Sequence, residues 1–426
     1  MYLGINNNIL AHRTMLGINI YFDNEPKKCY SINKTAEMIL TLCDGEKTRL
    51  DIINEISNIY NGLTDEEEKN IQDFIDALIY EGILYERFKK EIKKTKIYGR
   101  ADTETPTSIS IEITKKCPLR CIHCYTEAEN NNNEYIKLED LKKILNESSE
   151  LGIPHIQLTG GEIFEYPGII DIIKNYYHLF RTIILSTSGY TLREDMVEEL
   201  KNCKGLIWRI SIDGDEEIHN KIRQKNDAFQ KAITAIKILR LYNFDVTVVY
   251  TINRLNINKI DRVLDIVRES GANNFEYGFT LEMGRASNKL IISPEEVEEI
   301  NSKFATLNNH YHQEDIKFID RNNNIDEFKQ NCGAGWLKLS ILANGDYNPC
   351  LNLPISLGNI KNITIKEIMN SSLSKFLKKC ISPDKIECGK CESLKECRGC
   401  IGRAYSKNNC IYMNNFWKEL KYNVNK

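Results

Sequence analysis

The chain has little proline or tryptophan, no excess of one charge and no long apolar run. Its 426 residues include nine prolines and three tryptophans, and the net charge is −3. The balance of 57 basic against 60 acidic residues gives no reason to expect a nucleic-acid partner or an anionic membrane surface. No run of about 18 apolar residues could cross a bilayer, and the start, Met1-Tyr2-Leu3-Gly4, lacks the basic and apolar blocks of a secretory signal. These absences predict a cytoplasmic protein.

Cysteine, by contrast, is abundant, with fourteen in the chain. In a reducing compartment so many thiols predict metal binding or catalysis rather than disulfides. Cys29, Cys43 and Cys203 stand alone, as small core residues do. The other eleven fall into two groups, three within residues 117–124 and eight within residues 332–410. We therefore expect two separate regions that bind metal.

The length favours two or three domains. Residues 1–90 combine strand-like and helical stretches and predict a small winged-helix-like domain. Residues 106–290 alternate strand and helix patterns six times, which predicts an α/β fold whose parallel sheet forms an open, partial (β/α)6 barrel. Residues 291–330 are interpreted as a bridging region and residues 331–426 as a cysteine-rich domain.

The alternating strand and helix patterns of the central domain predict where its strands and helices lie. In such barrels functional side chains lie at the carboxyl ends of the strands, so candidate site residues are sought there. The predicted strands cover 108–113, 155–159, 182–186, 206–212, 245–250 and 274–279, and the predicted helices cover 138–151, 167–179, 192–202, 228–242 and 257–270.

The first domain contains two helix-start signals. Asn33 is a candidate N-cap, and the run 64–67 fits a capping box at the start of a third helix. A winged helix can bind DNA, but the acidic face of this third helix repels phosphate. The segments Tyr30–Ala36 and Leu42–Thr48 resemble the PqqD-like domain that recognises precursor peptides. The resemblance implies that the leader of a precursor peptide adds a strand to the small sheet and packs on the last helix, so that backbone hydrogen bonds supply affinity.

The chemistry begins directly after the first barrel strand. Cys117, Cys121 and Cys124 have the spacing C-x3-C-x2-C, which suits three corners of a [4Fe–4S] cube and leaves one iron open. A structural zinc site is the alternative, but it needs four closed ligands, and only His123 stands nearby as a fourth. This spacing in this position resembles the radical S-adenosylmethionine family. The resemblance implies that the cluster donates an electron to bound S-adenosylmethionine, which breaks into methionine and a radical that removes hydrogen atoms.

Further motifs carry the same resemblance. After the second strand, Gly160, Gly161 and Glu162 resemble the family's GGE motif. The resemblance implies that the two glycines let the backbone approach the bound cofactor closely and that Glu162 accepts hydrogen bonds from the methionine ammonium. After the fourth strand, Ser211 is implied to contact the ribose and Arg223 the methionine carboxylate. The alternative interpretations are a simple turn for the GGE segment, an ordinary serine at a strand end for Ser211 and a solvated helix arginine for Arg223. No role is assigned to Ser188, where many relatives have Asn, and no protein side chain is assigned as a catalytic residue.

The last quarter resembles the SPASM extension, which carries auxiliary clusters. The resemblance implies three [4Fe–4S] clusters in all, and a zinc ribbon is the alternative. Because nothing between residues 332 and 350 supplies another cysteine, the nearer auxiliary cluster is expected to keep an open iron unless Cys380 ligates it. The implied ligands are Cys332, Cys350 and Cys400 for the nearer cluster, and Cys388, Cys391, Cys397 and Cys410 for the distal one.

A closer resemblance covers nearly the whole chain. Leu158–Phe164, Asn331–Trp336 and Ser356–Ile360 look like the subtilosin-type maturases that join sulfur to carbon. The resemblance implies a cysteine-containing precursor peptide with a leader as substrate, a thioether crosslink as product and an external flavodoxin or ferredoxin as electron donor. An open iron would bind the substrate thiolate. The alternatives are a maturase that forms carbon–carbon bonds or makes other oxidative modifications, and a non-catalytic iron–sulfur protein that binds peptides or passes electrons.

Overall fold

The computed structural model describes residues 1–14, 17–22, 29–91, 96–311, 317–318 and 332–379. They form two compact units, Met1–Thr105 and Pro106–Lys426. Within the described ranges, none of the helices has both the length and the apolar character that a lipid bilayer demands of a spanning segment.

The first unit is a small α/β body with two sheets of mixed, mostly antiparallel strands. Strand order is β5-β1-β6 in one sheet and β4-β3-β2-β7 in the other. The winged-helix-like arrangement is confirmed. The elements are β1 (Tyr2–Ile5), β2 (Ile9–Thr14), β3 (Gly17–Phe22), β4 (Cys29–Asn33), α1 (Lys34–Leu42), β5 (Asp44–Thr48), α2 (Arg49–Tyr60), α3 (Asp65–Tyr80), β6 (Leu84–Arg87) and β7 (Tyr98–Gly99).

The helix starts of this unit follow the sequence signals. Asn33 caps α1, since its side chain accepts a hydrogen bond from the backbone N–H of Ala36 at 2.9 Å. Thr64 and Glu67 form the predicted capping box of α3. Such caps satisfy backbone donors that a helix leaves unpaired at its first turn.

The second unit contains the barrel. Strands β8 to β13 lie side by side in chain order and pair in parallel, as predicted. The elements of this barrel are β8 (Ser108–Thr114), α4 (Leu138–Glu150), β9 (His155–Gly160), α5 (Ile169–Tyr176), β10 (Thr182–Thr187), α6 (Glu194–Leu200), β11 (Leu206–Ser211), α7 (Glu216–Arg223), α8 (Ala228–Leu241), β12 (Val246–Ile252), α9 (Ile260–Ser270) and β13 (Asn274–Phe279).

The barrel sheet continues at both ends. At one end β14 pairs with β13, and at the other end β15 pairs in parallel with β8. Antiparallel pairing then carries the sheet from β15 to β16 and β17. The cysteine-rich segment thus contributes strands to the barrel sheet. These remaining elements are α10 (Pro294–Tyr311), β14 (Lys317–Phe318), β15 (Lys338–Ile341), β16 (Asp346–Asn348), β17 (Gly358–Asn359), α11 (Ile365–Asn370) and α12 (Ser372–Lys379).

The two faces of the barrel sheet differ in polarity. On β8, Ile109 and Ile111 are fully buried in the apolar layer between strands and helices. Because side chains alternate along a strand, Ser110 faces the barrel interior. There its hydroxyl donates to Gln157 at 3.0 Å, and the Gln157 amide donates to Ser186 at 2.9 Å. The interior is therefore polar and suits a polar ligand better than an apolar core.

Candidate functional site

The loop after β8 carries the three cysteines of the C-x3-C-x2-C motif. Cys117 and Cys121 are buried and Cys124 is half-buried. The loop backbone is held at two points, since the N–H of Cys117 donates to the carbonyl of Glu129 at 3.2 Å and that of Ile122 to the carbonyl of Ile222 at 3.0 Å. The structure therefore fixes the three thiols in one ordered loop at the carboxyl end of the first barrel strand.

A second segment, distant in sequence, clamps this loop. Arg285 follows the sixth strand, and its guanidinium donates to the carbonyls of Cys121 at 2.9 Å and Ala128 at 2.8 Å. Its own N–H donates to the carbonyl of Cys124 at 3.0 Å. Gly284 lies so close that a Cβ there would come within 2.4 Å of the same carbonyl. Sequence reasoning missed this clamp, although a glycine and an arginine just beyond a barrel strand fit the rule for site residues.

The donor set of the loop fits an iron–sulfur cluster. Burial raises the pKa of the Cys117 and Cys121 thiols, so thiolates at these positions need compensating positive charge, which bound iron supplies. In the described part of the chain, no three His, Cys, Asp or Glu side chains are grouped to hold a single metal ion. A four-iron cube would take the three thiolates on three different irons, whereas a structural zinc ion needs four ligands on one metal.

The two motif glycines lie against the chain that leads into the cysteine loop. A Cβ on Gly160 would come within 2.3 Å of the carbonyl oxygen of Thr114, and one on Gly161 within 2.2 Å of that of Lys116. The N–H of Gly161 donates to Thr114 at 2.6 Å and that of Glu162 to Lys116 at 2.9 Å. We expected the glycines to admit a ligand; in this structure their missing side chains admit the backbone of the neighbouring strand end. The absence of a Cβ thus allows the two strand ends to dock.

Glu162 is fully buried at the end of β9, and its carboxylate is held by the end of β10. One oxygen accepts from the hydroxyl of Thr187 at 2.5 Å, and the other accepts from the N–H of Ser188 at 3.1 Å and from the hydroxyl of Ser188. Burial raises the pKa of Glu162, while these donors oppose the shift. Ser188, to which no role was assigned, is therefore a direct partner of the predicted cofactor ligand.

Packing fixes the turn that carries Glu162. Two residues further on, the ring of Phe164 stacks on Trp208 of β11 with centroids 5.8 Å apart. Trp208 is fully buried and also contacts Phe244 at 5.5 Å. Since the aromatic stack holds the short helical turn after the glycines, the carboxylate has one well-defined position.

The end of β11 and helix α7 build a buried charged cluster beside the cysteine loop. Arg223 is 8% exposed, so it is not the solvated helix arginine of the alternative interpretation. Its guanidinium lies 2.6 Å from the carboxylate of Asp213 and donates to the sulfur of Cys121 at 3.7 Å. His219 accepts from the N–H of Asp213 at 3.0 Å, and His123 lies 3.8 Å from the same carboxylate. The ring of His123 therefore lies against the carboxylate of Asp213.

The charges of this cluster follow from its environment. Burial would raise the pKa of Asp213, but the guanidinium of Arg223 holds it below its ordinary value. Burial lowers the pKa of His123 to about 4 and that of His219 to about 3, so both imidazoles are neutral near pH 7. The cluster at neutral pH is therefore one ion pair between two neutral rings.

Further polar residues line the interior below the loop. Ser211, the predicted ribose contact, ends β11 and is half-buried. Arg209, on the same face two residues earlier, forms a buried ion pair with Glu276 at 2.8 Å. Glu112 of β8 is 2% exposed, and burial raises its pKa to about 7. No local pattern predicts the pair of Arg209 with Glu276, because the partners lie on different strands.

The cysteine-rich segment is described in part. Cys332 and Cys350 are both half-buried and free of disulfides. The N–H of Gly335, three residues after the first cysteine, donates to the carbonyl of Pro349, directly before the second, at 3.1 Å. The backbone thus brings the turns that carry the two cysteines together. The remaining predicted positions lie outside the described residues, namely Cys380, Cys388, Cys391, Cys397, Cys400 and Cys410.

Comparison with known proteins agrees with this site. Residues 111–268, from β8 through α9, match the radical SAM superfamily. The second unit therefore contains a radical S-adenosylmethionine domain. Residues 332–401 match the iron–sulfur cluster-binding SPASM domain, and residues 20–84 match coenzyme PQQ synthesis protein D. The protein is thus a radical enzyme that binds S-adenosylmethionine and iron–sulfur clusters, with the domain composition of the peptide maturases.

Curated relatives support the resemblance to subtilosin-type maturases. The antilisterial bacteriocin subtilosin biosynthesis protein AlbA of Bacillus subtilis is 27% identical over 88% of this chain and 85% of its own length. The sporulation killing factor maturation protein SkfB of the same species is 28% identical over 72% of each chain. An AdoMet-dependent heme synthase of Methanosarcina barkeri is 26% identical over 72% of this chain and 94% of its own. The superfamily match by itself therefore does not decide the substrate.

Solved structures share the fold. SuiB of Streptococcus suis bound to S-adenosylmethionine has a TM-score of 0.68, covers 96% of this chain and 98% of its own, and is 16% identical. A structure of anSMEcpe with bound AdoMet has a TM-score of 0.58 over 74% of this chain and 95% of its own, at 17% identity. The fold class predicted from the sequence is confirmed.

Proposed function

We propose that this protein modifies a ribosomally made precursor peptide by joining a cysteine sulfur to a carbon atom as a thioether. The observation that carries the proposal is the presence, in one chain, of a PqqD-like unit and a radical site, in an order matched over 88% of the chain by a subtilosin biosynthesis protein. The heme synthases match a smaller share of this chain, 72% for the relative above. A PqqD-like unit favours a peptide over a porphyrin as substrate.

Recognition of the leader rests on the first unit. Strand β4 lies at one edge of its sheet, and within the described residues its paired neighbour is β3. The end of α3 lies beside this edge, since Tyr30 of β4 donates a hydrogen bond to Glu81, which caps that helix. An extended peptide that adds to β4 would therefore contact α3 as well, which is the geometry of strand addition. The solved structure of SuiB bound to precursor peptide SuiA, of the same fold, agrees with a peptide substrate.

The residues of the second unit would bind the cofactors and position the peptide. A [4Fe–4S] cluster with S-adenosylmethionine, when bound, supplies hydrogen-atom abstraction from an unactivated carbon. Cys117, Cys121 and Cys124 would hold the cluster, and Glu162 would bind the cofactor ammonium in a position set by its partners on β10. Ser211, at the carboxyl end of β11, would hold the ribose. The polar barrel interior would orient the peptide backbone and exclude bulk water.

Auxiliary clusters complete the proposal. Cys332 and Cys350, whose turns meet, would bind the nearer cluster together with Cys400, and the total would be three clusters. A substrate thiol near an incompletely ligated iron would lose its proton readily. When its sulfur bonds to the carbon radical, the electron released would pass to the nearer auxiliary cluster. A flavodoxin or ferredoxin would supply electrons from outside.

The test uses anaerobically reconstituted full-length protein. It is mixed with S-adenosylmethionine, dithionite and the cysteine-containing peptide encoded nearest to its own gene, with and without the leader. We expect 5′-deoxyadenosine, a peptide lighter by two hydrogen atoms for each crosslink, and one fewer thiol that iodoacetamide can alkylate. The leaderless peptide should show a raised KM, because strand addition contributes binding rather than chemistry.

Other outcomes separate the alternatives. If the peptide becomes lighter while every thiol can still be alkylated, the product is a carbon–carbon bond or another oxidation and not a thioether. If protein with verified clusters forms no 5′-deoxyadenosine, the protein binds peptides or transfers electrons and is not an enzyme.

A further inference from the structure

The buried pair of Asp213 and Arg223 lies between the barrel and the cysteine loop. The resemblance to the family implied that Arg223 reaches the methionine carboxylate. In the structure its guanidinium is already engaged on two sides, 2.6 Å from Asp213 and 3.7 Å from the sulfur of Cys121. The guanidinium fork is planar and rigid, so a carboxylate that binds one side determines where the other side points.

Asp213 is itself held in place from several directions. The N–H of Thr251 on β12 donates to its carboxylate at 3.3 Å, and the side chain of Asn256 donates to its carbonyl at 3.0 Å. The N–H of Asp213 donates to His219 at 3.0 Å. Asp213 is fully buried, and such a carboxylate keeps its charge only with a paired cation. Arg223 provides that cation, so the two groups hold each other.

Helix α7 delivers the arginine to this position. Arg223 is the last residue of α7, where a cation is favoured by the partial negative charge of the helix end. Ile222, the residue before it, accepts a hydrogen bond from the N–H of Ile122 in the cysteine loop at 3.0 Å. The backbone of the helix end and the side chain of its last residue therefore both contact the loop.

We infer that Asp213 is a positioning residue that aims the guanidinium of Arg223 at the sulfur of Cys121 and thereby sets the reduction potential of the cluster held by that loop. The inference rests on the cluster, and not on which peptide the enzyme modifies. A buried cation that donates to a ligand sulfur stabilises the more negative, reduced cluster and raises its potential. Asp213 on the far side of the guanidinium limits that effect. The two residues therefore act on the potential with opposite signs.

The experiment is a redox titration of the full-length, reconstituted protein without S-adenosylmethionine, followed by electron paramagnetic resonance. The signal of this cluster is identified as the one that changes when S-adenosylmethionine is added afterwards. We expect Arg223→Gln to shift the midpoint potential to more negative values. Asp213→Asn keeps an amide oxygen that can still accept from the guanidinium but removes the opposing negative charge, so it should shift the potential to less negative values. Arg223→Lys keeps the charge and should restore most of the wild-type potential. Arg262→Gln, which breaks an exposed pair with Glu269, is the control and should not change it.

Several results decide against the inference. An unchanged potential in Arg223→Gln and Asp213→Asn, with normal iron content and weaker binding of S-adenosylmethionine, would return Arg223 to a role on the cofactor carboxylate. Shifts of the same sign in both variants would indicate general disruption of the loop instead of opposed charges. If Arg223→Gln does not retain iron, Asp213→Asn and Arg223→Lys decide by the same measurement. A failed peptide assay with these potential shifts present would overturn only the proposed function.

Discussion

The carbonyl oxygen of Lys116 occupies the space beside Gly161 where any other residue would place its side chain. A Cβ at this glycine would lie 2.2 Å from that oxygen, and the next residue of the chain is the first cysteine of the loop. The GGE motif and the cysteine motif are therefore coupled through backbone contact, and a change in one is expected to disturb the other.

Gly161→Ala should lower the iron content of the reconstituted protein, because the new methyl group must push the chain before Cys117 away from β9. Overpacking of this kind costs about 1–3 kcal/mol. Gly278→Ala is a matched control, since a Cβ there meets nothing within 4 Å. Iron per chain is measured after anaerobic reconstitution, and equal iron in the two variants would contradict the coupling.

Arg285→Met should speed the loss of iron to a chelator, because the variant loses both side-chain hydrogen bonds to the loop carbonyls. Each such bond contributes about 1 kcal/mol or somewhat more, so we expect about a tenfold or larger increase in rate. Arg254→Met removes an arginine that pairs with Glu296 on an exposed surface and serves as control. The rate is followed by the colour of the iron–chelator complex. A rate equal to that of the control would mean that the clamp does not hold the loop.

Glu162→Gln should weaken binding of S-adenosylmethionine about ten- to a hundredfold, the range for one lost charge-assisted hydrogen bond, while the iron content stays normal. Thr187→Val should weaken binding less, since it removes only one donor that orients the carboxylate. Thr182→Val, at the opposite end of the same strand, is the control. Equilibrium dialysis measures the affinity. Full affinity in Glu162→Gln would exclude the proposed contact with the ammonium.

Glu112→Gln should change how stability depends on pH. Burial raises the pKa of Glu112 from 4.5 to about 7. Because the folded state then keeps the proton longer than the unfolded state, the free energy of unfolding falls as pH rises from about 4.5 to about 7, by roughly 3 kcal/mol at most. The variant should lose this decline and be more stable than the wild type at pH 8.

Thermal unfolding of the anaerobic holoprotein at pH 5.5 and pH 8 measures the effect. Glu299→Gln, an exposed change on α10, should leave the wild-type difference between the two pH values intact. The same difference in Glu112→Gln as in the wild type would show that this carboxyl does not titrate with folding.

Local patterns predicted the barrel well, because alternating strands separated by amphipathic helices carry their own signal. The run 108–113 alternates strictly and became β8, and 274–279 became β13 without change. Helix α7 was missed, since Glu216–Arg223 is short and mostly polar, with only two apolar residues, Ile218 and Ile222, to mark a buried face.

Contacts between distant segments carried no such signal. The pairing of β15 with β8 joins residues about 230 positions apart, and the sequence of neither strand predicts its partner. The same holds for Arg285 and the cysteine loop, and for Glu162 and Ser188. Each of these depends on which strand ends meet at the mouth of the barrel, and that is a property of the whole sheet rather than of any single segment.

The hydrogen-bonded register of β8 against β15 sets how far the auxiliary cysteines stand from the first cysteine loop. Ser110 lies opposite Ser340 and Ile111 opposite Ile341. Cys117 follows the carboxyl end of β8, and Cys350 follows β16, which runs antiparallel back along β15. Loops in the intervening chain can therefore lengthen or shorten without altering that separation, whereas one residue inserted within either strand would move every later side chain to the opposite face. The separation between the two cysteine regions is thus specified by two short strands and does not change with loop lengths elsewhere in the polypeptide.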